Sequence, residues 1–204
     1  MRKLRLLRAM AGVAVALVVL AGCASEDMAK SEAKRDFADM IQGALDDAEA
    51  GGAGDEQLAI LRNAQTEGVV SVEDARTVTL AAVQCVQDAG SDAFYQERIT
   101  ESGLVLPEYN SLANTPAQLA IADACSTDLE FWVRMAYVMQ PTSIAVKDAY
   151  LDRQVPLVKT CLDREGYAAD PEASTHEVLR QALQVKTDAA SAVDCLAEAK
   201  IDGF

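Results

Sequence analysis

Four helical cysteines constrain this chain more than any other feature. Cys85, Cys125, Cys161 and Cys195 each fall on the apolar stripe of a segment with helical periodicity, so a bond between two of them pins one helix to another. No two form a Cys-x-x-Cys pair, and the single histidine, His176, is remote from all four in sequence. That argues against a zinc site and against a thioredoxin-like dithiol. As disulfides, four cysteines allow three pairings. An internal repeat favours one of them. Cys85-Val-Gln-Asp-Ala-Gly90 and Cys161-Leu-Asp-Arg-Glu-Gly166 share the form cysteine, apolar residue, three residues, glycine. Each is followed, a few dozen residues on, by a second helical cysteine. If each unit is one stapled pair of helices, the bonds are Cys85–Cys125 and Cys161–Cys195.

Oxidation of those thiols depends on the compartment, which the N-terminus addresses. Arg2, Lys3, Arg5 and Arg8 precede an apolar run from Ala9 to Leu20, and Ala21-Gly22-Cys23 follows. A charged start, a short apolar stretch and small residues at the cleavage point make a secretory signal. The run is too short to span a bilayer as a helix, which needs about 20 residues. Leu20-Ala21-Gly22-Cys23 resembles the lipobox of bacterial lipoproteins, a leucine, two small residues and a cysteine. The resemblance implies that Cys23 takes a diacylglycerol on sulfur and that the peptide is cut before it. Acyl chains such as palmitate would then anchor the exported protein to the outer face of the cell membrane. Export in turn favours disulfides, because the compartment lacks the reducing poise of the cytosol.

Residues 1–22 are therefore read as a lipoprotein signal peptide, 23–35 as a polar tether, and 36–204 as a helical, disulfide-containing domain. Helical period begins near Asp36, with Phe37, Met40, Ile41, Ala44 and Ala48 at three- and four-residue steps. The glycines of Gly51-Gly52-Ala53-Gly54 end it. A shorter helix follows from Asp55 to about Thr66. Ser71 offers an N-cap with Glu73 and Asp74 in the first turn, and Gly90 sits where a left-handed C-cap is wanted. Thr115-Pro116 opens a helix predicted to run to Pro141, its stripe Cys125, Leu129, Trp132, Ala136 and Met139. Pro156 interrupts the segment from Ser143 to Gly166, which predicts a kink or two helices. The last helix begins near Ser174-Thr175 and is predicted to continue through Ala189, Ala192 and Cys195. Tyr95, Glu97 and Ile99 alternate with Gln96 and Arg98, Glu101-Ser102-Gly103 can turn, and Leu104-Val105-Leu106 resumes. This predicts a small β-hairpin near 94–110, with Pro107 placing its second strand at an edge. The fold class expected is mainly α, about six helices stapled by two disulfides, with that one small hairpin.

Cys161 to Tyr167, and in part Cys85 to Gly90, also resemble a Cys-Leu-x-x-x-Gly-aromatic element of secreted actinobacterial lipoproteins of unassigned activity. Cys195-Leu196 begins the same way, but Gly203-Phe204 comes three residues late. The resemblance implies an envelope location and helical stapling, and it brings no activity.

Loss of the four early positive charges takes the formal net charge from −14 to −18. Such an acidic chain argues against nucleic acid, where Lys and Arg must neutralise phosphate. It also argues against attraction to anionic lipid head groups, leaving acyl chains at Cys23 as the anchor. Catalytic signatures are incomplete throughout. His176-Glu177 begins like a zinc-protease helix, but Arg180 stands where the second histidine is required. Ser31-Glu32-Ala33-Lys34 matches Ser-x-x-Lys of the penicillin-recognising enzymes without its partner motifs. No Gly-x-Ser-x-Gly elbow, phosphate-binding loop or dinucleotide fingerprint is present. Asp46-Asp47, Asp163 with Glu165, or Glu97 with Glu101 could pair for glycoside hydrolysis, but 32 acidic residues make chance neighbours common.

No catalytic residue, metal ligand or cofactor is assigned. Tyr95 and Tyr109, on the hairpin, are the expected exposed aromatics of a contact surface. The chain reads as a membrane-anchored envelope lipoprotein with a non-enzymatic binding or structural role, toward an envelope protein or wall component. The alternative is an envelope hydrolase that uses paired carboxylates.

Overall fold

Four of the helices begin where the sequence supplies an oxygen to cap them. The computed structural model describes residues 20–188 and 193–201, with residues 20–35 as backbone alone. Residues 1–19, Ala189, Ala192 and Gly203-Phe204 lie outside the described residues. The elements are α1 (Leu20–Gly51), α2 (Asp55–Glu67), α3 (Val72–Asp88), β1 (Ala93–Ile99), β2 (Val105–Ser111), α4 (Pro116–Leu129), α5 (Phe131–Met139), α6 (Pro141–Arg164), α7 (Thr175–Thr187) and α8 (Cys195–Glu198). Ser71 and Asp74 form a reciprocal capping box at α3, and Ser174 and Glu177 form another at α7. Thr115 caps α4 ahead of Pro116, and Asp194 accepts from the Ala197 N–H at α8.

The fold is mainly helical with one antiparallel hairpin, in which Tyr95 lies opposite Tyr109 and Glu97 opposite Pro107. Both expected disulfides are formed. Cys85 joins Cys125 between α3 and α4 at a Cα separation of 5.8 Å, and Cys161 joins Cys195 between α6 and α8 at 5.6 Å.

The helix boundaries depart from the expected ones in three places. The stretch read as a tether, 23–35, is helix and is continuous with the first helix of the domain. Its alanines, glutamates and lysines are strong helix formers, which outweighs the lack of an apolar period. The helix predicted from Thr115 to Pro141 is two, broken at Glu130, whose backbone sits at φ −136°. A buried glutamine holds the break open. Gln57 accepts from the N–H groups of Trp132 and Val133, at 2.9 and 3.3 Å, and donates to the Thr127 carbonyl at 2.8 Å. It thereby satisfies the end of one helix and the start of the next. The break turns the buried face of α5 to Val133, Ala136 and Tyr137, while Met139, assigned to the stripe, is half-exposed.

Pro156 neither ends nor divides α6. It lies on the exposed side of the helix, and the residues after it, Val158, Cys161 and Leu162, are buried. The last helix stops at Thr187, where Asp188 turns extended, so Cys195 opens a separate short helix.

Three apolar clusters hold the elements. Phe37, Ile41 and Leu45 of α1 meet Leu61 of α2, Val78 of α3 and Val133 of α5. Val158 and Leu162 of α6 meet Val178 and Leu179 of α7 and Leu196 of α8. Val83, Val86, Ala93 and Ala122 pack around the first disulfide.

The repeat seen around the cysteines is a turn. Gly90, Gly166 and Lys200 each stand five residues after a cysteine, with φ of 78°, 83° and 55°. In each, the next residue donates its N–H to the carbonyl of the residue that follows the cysteine: Ser91 to Val86, Tyr167 to Leu162, Ile201 to Leu196. The middle residue closes a shorter bond, Gly90 to Gln87, Gly166 to Asp163 and Lys200 to Ala197. This is the left-handed helix stop that glycine favours. The third copy does not wait for Gly203. It is made by Lys200, the one non-glycine residue at positive φ among the described residues.

Candidate functional site

Residues far apart in the chain converge on a cleft of about 430 Å³, bounded by the hairpin end, α5, α6, the first turn of α7 and the segment after α8. Its floor is apolar, with Leu104, Leu106, Val138, Leu151 and Ile201. Its rim is charged. Arg98, Lys147, His176 and Lys200 supply cations or a titratable ring, and Glu101 and Asp148 supply carboxylates.

Local structure places each of these. The hairpin turn closes through Thr100, whose N–H donates to the Leu104 carbonyl at 2.9 Å and whose Oγ1 accepts from the Leu104 N–H at 3.0 Å. Gly103, at φ 89°, makes the reversal. Arg98 is aimed along the strand pair by a 2.7 Å ion pair with Glu108. The Thr175 hydroxyl donates to Asp152 at 2.5 Å, which docks the first turn of α7 on α6 and brings His176 to the rim. The Tyr150 hydroxyl donates to the Lys200 carbonyl at 2.7 Å, fixing the left-handed turn against α6.

His176 is thus a first-turn helix residue, as its sequence context indicates, and it also borders the cleft. Sequence reasoning did not gather Lys147, Lys200 and Arg98 with it. The signal available was positional: counting five residues from Cys195, as from Cys85 and Cys161, lands on Lys200.

Tyr95 and Tyr109 take a different place from the one expected. Both are half-buried and pack against the cluster around Cys85–Cys125. The exposed apolar residues of the hairpin strands are Phe94 and Ile99. Tyr95 donates to Glu97 at 2.5 Å, and Arg76 donates to the same carboxylate oxygen at 2.6 Å and also pairs with Glu73. Desolvation, then the hydrogen bond to Glu97, pushes the Tyr95 hydroxyl above the ordinary tyrosine range. Arg76 first, then Tyr95, holds the Glu97 carboxyl below the ordinary range. Glu97 is therefore spent in a structural network, and its partner in the proposed carboxylate pair, Glu101, faces the cleft without it.

Glu165, of a second candidate pair, is bound to Arg164 at 2.9 Å. Trp132 packs edge-on against Phe131 with ring centres 4.9 Å apart. Among the described residues, no three side chains of His, Cys, Asp or Glu come together as a metal site, and no helix is long and apolar enough to cross a membrane. No protein-family model, no curated protein and no solved structure matches this chain.

Proposed function

We propose that this chain is an envelope lipoprotein, acylated at Cys23, whose helical domain binds a ligand or partner rather than transforming one. The observation that carries the reading is the pair of disulfides. Cys85–Cys125 and Cys161–Cys195 use all four cysteines after Cys23, and structural disulfides persist where the compartment is oxidising. That agrees with the charged start, the short apolar run and the lipobox. An open cleft with an apolar floor and a few converging polar groups suits binding.

The experiment is metabolic labelling with an alkynyl fatty acid in the native host. Wild type is expected to take up label and run as processed protein. Cys23→Ala is expected to take up none and to accumulate as precursor. Normal cleavage and unchanged membrane partitioning of Cys23→Ala would overturn the anchor.

One observation favours the hydrolase alternative: Glu101 and Asp148 line the same cleft. Glu101→Gln and Asp148→Asn are expected to complement a deletion strain fully if the cleft only binds. Loss of complementation by either variant, folded and anchored normally, favours hydrolysis.

A further inference from the structure

We propose that the cleft binds a small amphiphilic anion, an apolar body carrying a carboxylate or phosphate head. The inference rests on the binding half of the reading above. Its volume, about 430 Å³, matches small-molecule sites, and Leu104, Leu151 and Ile201 give the apolar body a surface to cover. The head is set by the rim. In a chain whose formal charge is −14, Lys147, Lys200, Arg98 and His176 border one opening. Arg98 is held by Glu108, but Lys147 and Lys200 make no ion pair with any described residue, although both are exposed. Their ammonium groups are free to meet a ligand's negative end, and a lysine ammonium grips an anion as a mobile point charge. Glu101 and Asp148, on the same rim, disfavour a ligand with a second negative group at their side.

Lys200 gives an independent reason. Its two structural counterparts, Gly90 and Gly166, are glycines, the residue that a left-handed stop favours. At the one copy of the turn that borders the cleft, a lysine occupies that strained conformation instead. A non-glycine residue held in a left-handed conformation beside a cavity points to a functional side chain. Glycine would serve the turn itself at least as well, so the lysine side chain is what sets this copy apart.

The test uses the acylated mature protein in nanodiscs of zwitterionic lipid, titrated with 1-naphthaleneacetate and with neutral 1-naphthaleneethanol. Methyl resonances of Leu104, Leu151 and Ile201 report binding in the cleft separately from partition into lipid. Naphthaleneacetate is expected to shift them saturably, and the alcohol to bind on the order of tenfold more weakly, as loss of a charge-assisted contact implies. Lys147→Met is expected to weaken the acid by a similar factor. Lys200→Gly separates fold from ligand: it is expected to raise the melting temperature by relieving the left-handed lysine, yet to weaken the acid. Equal binding of both probes, no methyl shift with naphthaleneacetate at millimolar concentration, or undiminished binding by Lys200→Gly would each overturn the proposal. None of these touches the anchor, which acyl labelling of Cys23 reads on its own.

Discussion

Gln140 pairs with Val70 as a β-strand partner would. The Val70 N–H donates to Gln140 Oε1 at 3.0 Å, and Gln140 Nε2 returns a bond to the Val70 carbonyl at 3.0 Å. Both residues are buried, so a side-chain amide satisfies a loop backbone that water cannot reach. The same Nε2 reaches Ser143, whose hydroxyl donates to the Tyr137 carbonyl at 2.7 Å. One glutamine therefore ties the loop before α3 to the junction of α5 and α6.

Gln140→Leu fills a similar volume but orphans the Val70 donor and acceptor. Unsatisfied buried groups cost roughly 1–3 kcal/mol each, so a loss of about 3 kcal/mol is expected in reversible denaturant unfolding. A change under about 0.5 kcal/mol would mean that water replaces the amide.

Replacing Cys161 and Cys195 together by serine opens one covalent loop of 34 residues. In the chain-entropy description, closing a loop of that length contributes roughly 4 kcal/mol. Among the described residues, the ion pair that then joins α8 to α6 is Arg164 with Glu198, at 2.7 Å, and both groups are about half-exposed. Hydrogen exchange is expected to accelerate first in residues 195–201 and in α7, while α1 to α3 keep their protection. Uniform acceleration across the chain would show that the second cluster does not open separately.

Acid is expected to loosen the same region. Three carboxyls there are held below their ordinary range: Glu177 by the Ser174 hydroxyl and then its N–H, Asp194 by the Ala197 N–H and then Lys186, and Glu198 by Arg164. Because the folded state favours the charged form, each contributes stability above the ordinary carboxylate range, near 4. Each loses it as pH falls through the lowered folded value. The melting temperature should hold from pH 7 to about 5 and decline below about 4, less steeply in Glu198→Gln. Glu177 and Glu198 are exposed and Asp194 partly so, and added salt should therefore shrink the effect. A Glu198→Gln curve parallel to wild type would remove that residue from the account.

Local rules made much of this fold legible. Ser71, Thr115 and Ser174 announce helix starts because capping is a matter of a few residues. The cysteine pairing was legible because two copies of one short pattern each precede a second helical cysteine. The break at Glu130 was not, since no glycine or proline marks it. It comes from Gln57, more than 70 residues away, and from the buried Glu130 carboxylate, which accepts from Ser126 and pairs with Arg134 at 2.7 Å. Lys200 hid for the opposite reason, because a lysine carries no local preference for a left-handed turn. The cleft needed residues from 98 to 201 in one place, and only tertiary packing brings them together.

The continuous first helix changes what an anchor at Cys23 would do. From Cys23 to Asp36 a helix rises about 20 Å, at 1.5 Å per residue. Beyond Asp36 the same helix is clamped in the interior by Phe37, Ile41 and Leu45. Acyl chains at Cys23 would then grip the foot of a mast rather than the end of a leash. Such a mast would set a height above the lipid head groups, about two screening lengths at physiological salt, and would bias which side of the domain faces down. A partner would meet this protein at a set distance and angle from the membrane.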